Sequence, residues 1–382
     1  MSRILVPALV TALAVGTVLG VAAPSASDDV GRVARAGQWQ LGAMRLPDAW
    51  RTSKGAGAVV AVLDTGVNGR HPDLAGAVIQ GPDLTGVARS PHRWGRHGTA
   101  MASLIAGHGH GEKREGGVLG VAPDAKVLSV RVTLDNGDPQ RKKQRSGGRN
   151  ALARGIRYAA DHGAEVISMS LGGGSGSWEG SATEEAAVQY AIARGAVLVA
   201  SSGNDGAAAN RKNFPAAYPG VIAVGAVDRR LAVAGFSNRQ DYVSVVAPGT
   251  DIVTADGRRS YVIGDGTSSA AAMVAGVAAL IRSAHPSLSP YHVRRAIELG
   301  TRRRPAGGHS RAYGHGVVDA ALALRAAGRL DVPAPGGVAP GPYFCEAPPS
   351  SRTPVIAGMV MLVAAMSARV LVTQRRRRRD VT

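Results

Sequence analysis

Cysteine occurs once in these 382 residues, as Cys345, so no internal disulfide can staple the chain. That cysteine lies in PGPYFCEAPPS (340–350), a proline-rich stretch outside any folded body, which argues against thiol catalysis. Aromatics are only 4% of the residues, against 51 glycines, so the core must be built from small aliphatic side chains and tight turns. Acidic residues are few: 27 against 45 lysines and arginines, a formal charge of +18. Such an excess points first to nucleic acid or a membrane surface. Much of it is local, in the arginine run 375–379 and in RKKQR (141–145), and neither run has the interleaved aromatics of a nucleic-acid face. No nucleic acid partner is expected. The chain also lacks a G-x-S-x-G elbow, which argues against the α/β-hydrolases. Asp-Thr-Gly occurs at 64–66, but an aspartic protease uses a pair of such carboxylates, and no second Asp-Thr-Gly or Asp-Ser-Gly occurs.

The ends of the chain are distinctive. Arg3, an apolar run over 4–23 and the small-residue segment PSAS (24–27) have a secretory shape. Residues 1–26 are expected to be a signal peptide, with an uncleaved anchor as the alternative. A short N-terminal extension (27–55) then precedes the main body (56–330). Residues 331–354 form a Pro/Gly-rich linker. VIAGMVMLVAAMSARVLVT (355–373) would reach about 28 Å as a helix, roughly the thickness of a bilayer core. Arg369 stands close enough to its basic end to snorkel. With the basic tail 374–382 in the cytoplasm, the positive-inside rule puts the body outside. The alternative is a packed terminal helix.

The body alternates. AVVAVLD (58–64), KVLSVRV (126–132), AEVISMS (164–170), AVLVASS (196–202) and VIAVGAV (221–227) read as buried strands of a parallel sheet. Helical patterns fall at 97–107, 149–163, 183–195 and 263–280, and Gly163 and Gly195 stand where helix C-termini favour a left-handed residue. This order implies an α/β sheet covered on both faces, with functional groups gathered at the carboxyl ends of the strands.

Five polar signals fall at those ends: Asp64 in VAVLDTG, His97 in RHGTA, Ser170 in VISMS, Asn204 in SSGND, and Ser268 in GTSSA. They comprise an acid to fix an imidazole, a base, a hydroxyl nucleophile and an amide donor for an oxyanion, the set that acyl transfer by a serine requires. Taken singly, each has a plainer reading. Asp64 could be a cap and His97 a core histidine. The hydroxyls Thr267, Ser268 and Ser269 could simply cap a helix. GHGHG (107–111) offers His108 and His110 but no third metal ligand. His71, in HPDL, reads as structural.

The joint pattern VAVLDTGV (60–67), HGTAMASLIAG (97–107), SSGNDG (201–206) and GTSSAAAMVAG (266–276) resembles the subtilisin-like serine proteases, as do HPDL (71–74), GVAPDAKVLSVRV (120–132), ISMSLGGGSGS (167–177) and YGHGVVDA (313–320). The resemblance runs over about residues 38–327. It implies a three-layer fold, a mostly parallel central sheet covered by helices on both faces, and a serine endopeptidase acting on polypeptides; no cofactor or metal is expected. Asp64, His97 and Ser268 would form the triad, with Asn204 and the Ser268 N–H as the oxyanion hole. Ser170, Leu171 and Gly172 would pair with an extended substrate, and Phe214–Pro215 would be cis. The order of leader, QWQLGAMRLPDAW (38–50), protease, linker, apolar segment and basic tail resembles the mycosins, membrane-anchored subtilases associated with type VII secretion in actinobacteria. A structural role in a secretion complex, with proteolysis secondary, and general degradation are the competing readings.

Three departures stand out. Ala272 and Met273 replace the family's usual proline and its histidine or tyrosine. Asp73 matches a calcium ligand of secreted subtilisins, but the loop HGHGEKREGG (108–117) lacks their asparagine-rich ligands. About ten residues separate the expected cleavage point from residue 38, too few for a folded prodomain. The insertion LDNGDPQRKKQRSGGRN (134–150) is expected to be a solvated loop, with self-cleavage or acidic partners as alternatives.

Overall fold

The computed structural model describes residues 26–87, 95–141, 150–172, 180–256 and 259–330, all within one unit ending at Leu330. The expected signal peptide, except for its last residue, and all of the linker, apolar segment and basic tail lie outside the described residues, as does 142–149 of the insertion.

Nine strands form the central sheet, in the order β12-β13-β9-β8-β7-β6-β1-β5-β2. They are β1 (Val59–Asp64), β2 (Val78–Asp83), β5 (Lys126–Arg131), β6 (Val166–Met169), β7 (Val197–Ser201), β8 (Ile222–Val227), β9 (Val243–Pro248), β12 (Thr301–Arg302) and β13 (Val317–Val318). Neighbours run parallel except β12 against β13. Every residue of β6, β7, β8 and β9 is buried. Burying a valine or isoleucine side chain fully is worth about 1.5–3 kcal/mol, so continuous apolar strands settle where both faces are covered. Two hairpins stand apart: β3 (His108–His110) with β4 (Gly116–Leu119), and β10 (Ile252–Ala255) with β11 (Tyr261–Gly264).

Seven helices of at least eight residues are described: α1 (Ala26–Ala36), α2 (Arg96–Ala106), α3 (Ala151–Asp161), α4 (Ala182–Ala193), α5 (Thr267–Ala284), α6 (Pro290–Leu299) and α7 (Ala320–Ala327). α5 lies on β6, β7, β8 and β9 and packs against α2. It is so rich in alanine and glycine that backbones approach closely: a Cβ on Gly276 would lie 2.6 Å from Val121 Cβ. Among the described residues α5 alone is long and apolar enough to cross a membrane, but 78% of it is buried in the protein, as suits a core helix.

The expected strands and helices stand within a few residues of their places, and Gly163 (φ 75°) and Gly195 (φ 89°) have the left-handed conformation. In the stretch 263–280 the helix begins at the hydroxyl cluster, at Thr267, while Ile263 and Gly264 end β11. Ala272 and Met273 are fully buried in a continuous helix.

The N-terminal extension is stitched to the body. Arg35 Nε donates to Gly117 C=O (2.9 Å). Gln38 gives its amide N–H to Leu119 C=O and accepts Leu119 N–H (both 2.9 Å). Trp39 and Trp50 donate to the carbonyls of Thr250 and Val121. This segment also meets the other end of the unit: Ala320 N–H donates to Met44 C=O (2.9 Å), and buried Asp319 takes ion pairs from Arg45 (3.5 Å) and Arg302 (3.2 Å).

Candidate active site

The sheet order reverses at β1, with β5 on one side and β6 on the other, so its carboxyl end opens on a crevice. Asp64 is the last residue of β1 and is 1% exposed. Its Oδ1 accepts Thr65 N–H (2.7 Å), and His97 Nδ1–H donates to both oxygens (2.8 and 3.0 Å). A carboxylate partner fixes this tautomer, which leaves Nε2 on the accessible edge of a side chain 39% exposed. Gly66 makes the turn after the strand (φ 95°). α2 presses onto that turn: a Cβ on Gly98 would lie 2.3 Å from Gly66 O.

The start of α2 is held from two sides. Thr65 Oγ1 accepts Gly98 N–H (3.0 Å). Asp135 accepts Arg96 N–H on one oxygen and His97 N–H on the other, both at 3.0 Å. Burial works against protonating His97, but Asp64 and Asp135 outweigh it, and the imidazole pKa is raised above its ordinary value. Asp135 belongs to the insertion expected to be a solvated loop. That expectation needs correcting at its first two residues, since Leu134 is 1% exposed and Asp135 is committed to α2, while Asn136, Gly137 and Pro139 are exposed.

Ser268 is the second residue of α5. Its N-cap is Gly266, which has no side chain to cap the helix. Thr267 does something else: its N–H and hydroxyl both donate to Asn204 Oδ1 (2.9 Å each). With Oδ1 so committed, Asn204 Nδ2 turns toward the helix start. A Cβ on Gly266 would lie 3.6 Å from Asn204 Nδ2 and 3.7 Å from Ser268 N, so the two donors flank one small space that only glycine leaves open. Two N–H donors around one space could receive a negatively charged oxygen. Ser170 Oγ–H donates to Ser268 C=O (3.0 Å). No hydrogen bond joins His97 to the Ser268 hydroxyl in this structure, a contact that in the absence of substrate is commonly long.

Asp64, His97, Ser170, Leu171, Gly172, Asn204 and Ser268 line one cleft of about 710 Å³. Leu171 C=O turns inward, accepting Ser201 Oγ–H (3.2 Å) and Asn213 Nδ2–H (3.2 Å). Phe214–Pro215 is cis. Reading the sequence missed Asp135, Thr267's hold on Asn204, and Asn213. Only Thr267 carried a local signal, as part of the hydroxyl cluster.

Asp73 does not fit calcium, which needs a cage of oxygen ligands. Its oxygens accept His110 Nδ1–H (2.5 Å) and Val118 N–H (2.7 Å). Both ring nitrogens of His108 face backbone carbonyls. His71 is fully buried, its Nδ1 accepting Asp73 N–H (3.2 Å).

The sequence matches the Subtilase family (Peptidase S8) over residues 55–316, and the chain belongs to that family. Thermitase of Thermoactinomyces vulgaris is 41% identical over 255 residues, covering 67% of this chain and 85% of thermitase. Among solved structures, MycP1 from Mycobacterium smegmatis superposes with a TM-score of 0.65 at 29% identity, covering 81% of this chain and 88% of MycP1. The MycP3 protease of the type VII (ESX-3) secretion system gives 0.63 at 31%, covering 75% and 88%. The protein is a serine endopeptidase of the subtilisin type, with mycosins among its structural neighbours.

Proposed function

We propose that the chain is a membrane-anchored, extracytoplasmic endopeptidase of mycosin kind, cleaving extended polypeptide segments through a Ser268 acyl-enzyme. One observation carries this reading: the Asp64–His97 pair at 2.8 Å opens on the same cleft as Ser268 and Asn204. Ser268 Oγ attacks the scissile carbonyl while His97 Nε2 takes its proton and later returns it to the leaving amine. Asp64 keeps the imidazole oriented and stabilises its cation. Asn204 Nδ2 and Ser268 N–H receive the oxyanion. Ser170 and Gly172 pair with the substrate backbone as an added strand. The leader 1–26, linker 331–354, membrane helix 355–373 and cytoplasmic tail 374–382 supply export and anchoring. The likeness to MycP1 and MycP3 supports a partner in a type VII secretion membrane complex.

The test is labelling of the purified full chain with a fluorophosphonate. Stoichiometric labelling that is lost in Ser268→Ala and His97→Ala is the expected result. An unlabelled, folded wild-type chain would overturn the mechanism. Secretion restored by Ser268→Ala in cells lacking the native protein would assign the secretion link to a structural role.

A further inference from the structure

Glu184 stands in the first turn of α4, where Ser181 Oγ caps the helix by accepting Glu184 N–H (3.2 Å). An acidic residue there is ordinary, because the helix dipole favours it, and the neighbouring exposed Glu185 needs no other account. Glu184 differs in that it lines the cleft and is held in place. Tyr218 O–H donates to Glu184 Oε2 (2.9 Å) while accepting Ser181 N–H (2.7 Å). Burial, reinforced by Glu184, pushes the Tyr218 phenol up to about 12, so it remains a donor.

Among the described residues, no lysine or arginine pairs with this carboxylate. The cleft's two arginines are engaged elsewhere: Arg96 grips Asp256 through two nitrogens (3.0 and 2.8 Å), and Arg141 donates to Leu134 C=O and Asn136 Oδ1. A second observation concerns the same wall. Asn213 is 1% exposed, and its Nδ2 faces two carbonyls, those of Leu171 and Ser201, which fixes the amide orientation. Its Oδ1 therefore points away from them and has no partner. It lies against Gly172, where a Cβ would come within 2.1 Å of it. The negative end of the Asn213 dipole, buried behind Gly172, and a carboxylate with no cationic partner thus both favour positive charge on this side of the cleft.

We propose that Glu184 makes the arm of the cleft walled by Leu171, Gly172 and Phe214 a subsite for a cationic substrate side chain, lysine or arginine. The inference rests on the peptidase reading, and it selects among substrates that lie along Ser170–Gly172. The side chain enters past Gly172 and sets its ammonium or guanidinium on the free Glu184 oxygen.

The test uses the full chain and matched quenched peptides carrying lysine, the uncharged isostere norleucine, or glutamate at each of the four positions before the cleaved bond. At one position lysine is expected to exceed norleucine by about tenfold in kcat/KM, with glutamate below both. The lysine-to-norleucine ratio should collapse in Glu184→Gln and invert toward glutamate in Glu184→Lys. It should also shrink between low and high salt in the wild type. Equal cleavage of lysine and norleucine peptides by fluorophosphonate-reactive enzyme, or a lysine preference surviving in Glu184→Gln, would overturn the subsite and leave the peptidase intact. A chain that neither labels nor cleaves overturns both.

Discussion

The helices that deliver His97 and Ser268 use their N-termini differently. At the start of α2 the N–H groups of Arg96 and His97 are taken by the protein's own carboxylate, Asp135, and Gly98 N–H by Thr65. At the start of α5 the Thr267 N–H is likewise taken, by Asn204 Oδ1, but Ser268 N–H and Asn204 Nδ2 flank a space open to a guest. An N-terminus attracts negative charge in either case. Filling it permanently fixes a base and favours its cation. Leaving it open reserves that attraction for charge that develops on the substrate, which is the kind of interaction that lowers a barrier.

The comparison can be broken from either side. Asp64→Asn removes the acceptor that sets the His97 tautomer and should lower kcat about ten-thousandfold, read from hydrolysis of a peptide ester or amide, with thermal stability as the control for folding. Asn204→Ala empties half of the open site; kcat should fall roughly a hundred- to a thousandfold with little change in KM, and a KM effect alone would contradict the oxyanion role. Thr267→Val keeps the backbone bond to Asn204 and loses the hydroxyl bond, for which a roughly two- to tenfold drop in kcat is expected. Asp135→Asn sharpens the comparison from the filled side. The neutral imidazole is the working form, and Asp135 helps hold the His97 pKa above its usual value. Removing that charge should move the acid limb of the kcat/KM profile to lower pH. A limb that stays in place would mean that Asp135 acts on the helix alone.

Much of this was legible in the sequence. Continuous valine-rich runs can only be interior strands, so β1, β5, β6, β7 and β8 were readable, and left-handed glycines marked two helix ends. Each part of the proposed triad sits beside its own turn or helix start, which makes it a local pattern. β9 carries the same kind of run, VSVVAP, and went unread; the β10–β11 hairpin and β13 are short, and β13 pairs with strands distant in sequence. Asp135 lies 38 residues from His97 in sequence, in a loop whose charge suggested solvent. Asn213 works through carbonyls 42 and 12 residues away. Such roles follow from tertiary approach, which spacing along the chain does not encode.

The meeting of Met44 and Arg45 with Asp319 and Ala320 bears on how long such a molecule lasts. A peptidase lives among copies of itself, and fraying ends are where nicking starts. Tying Met44 and Arg45 to the start of α7 holds two stretches far apart in sequence against peeling. Survival in its own company is then governed by how rarely the whole unit opens.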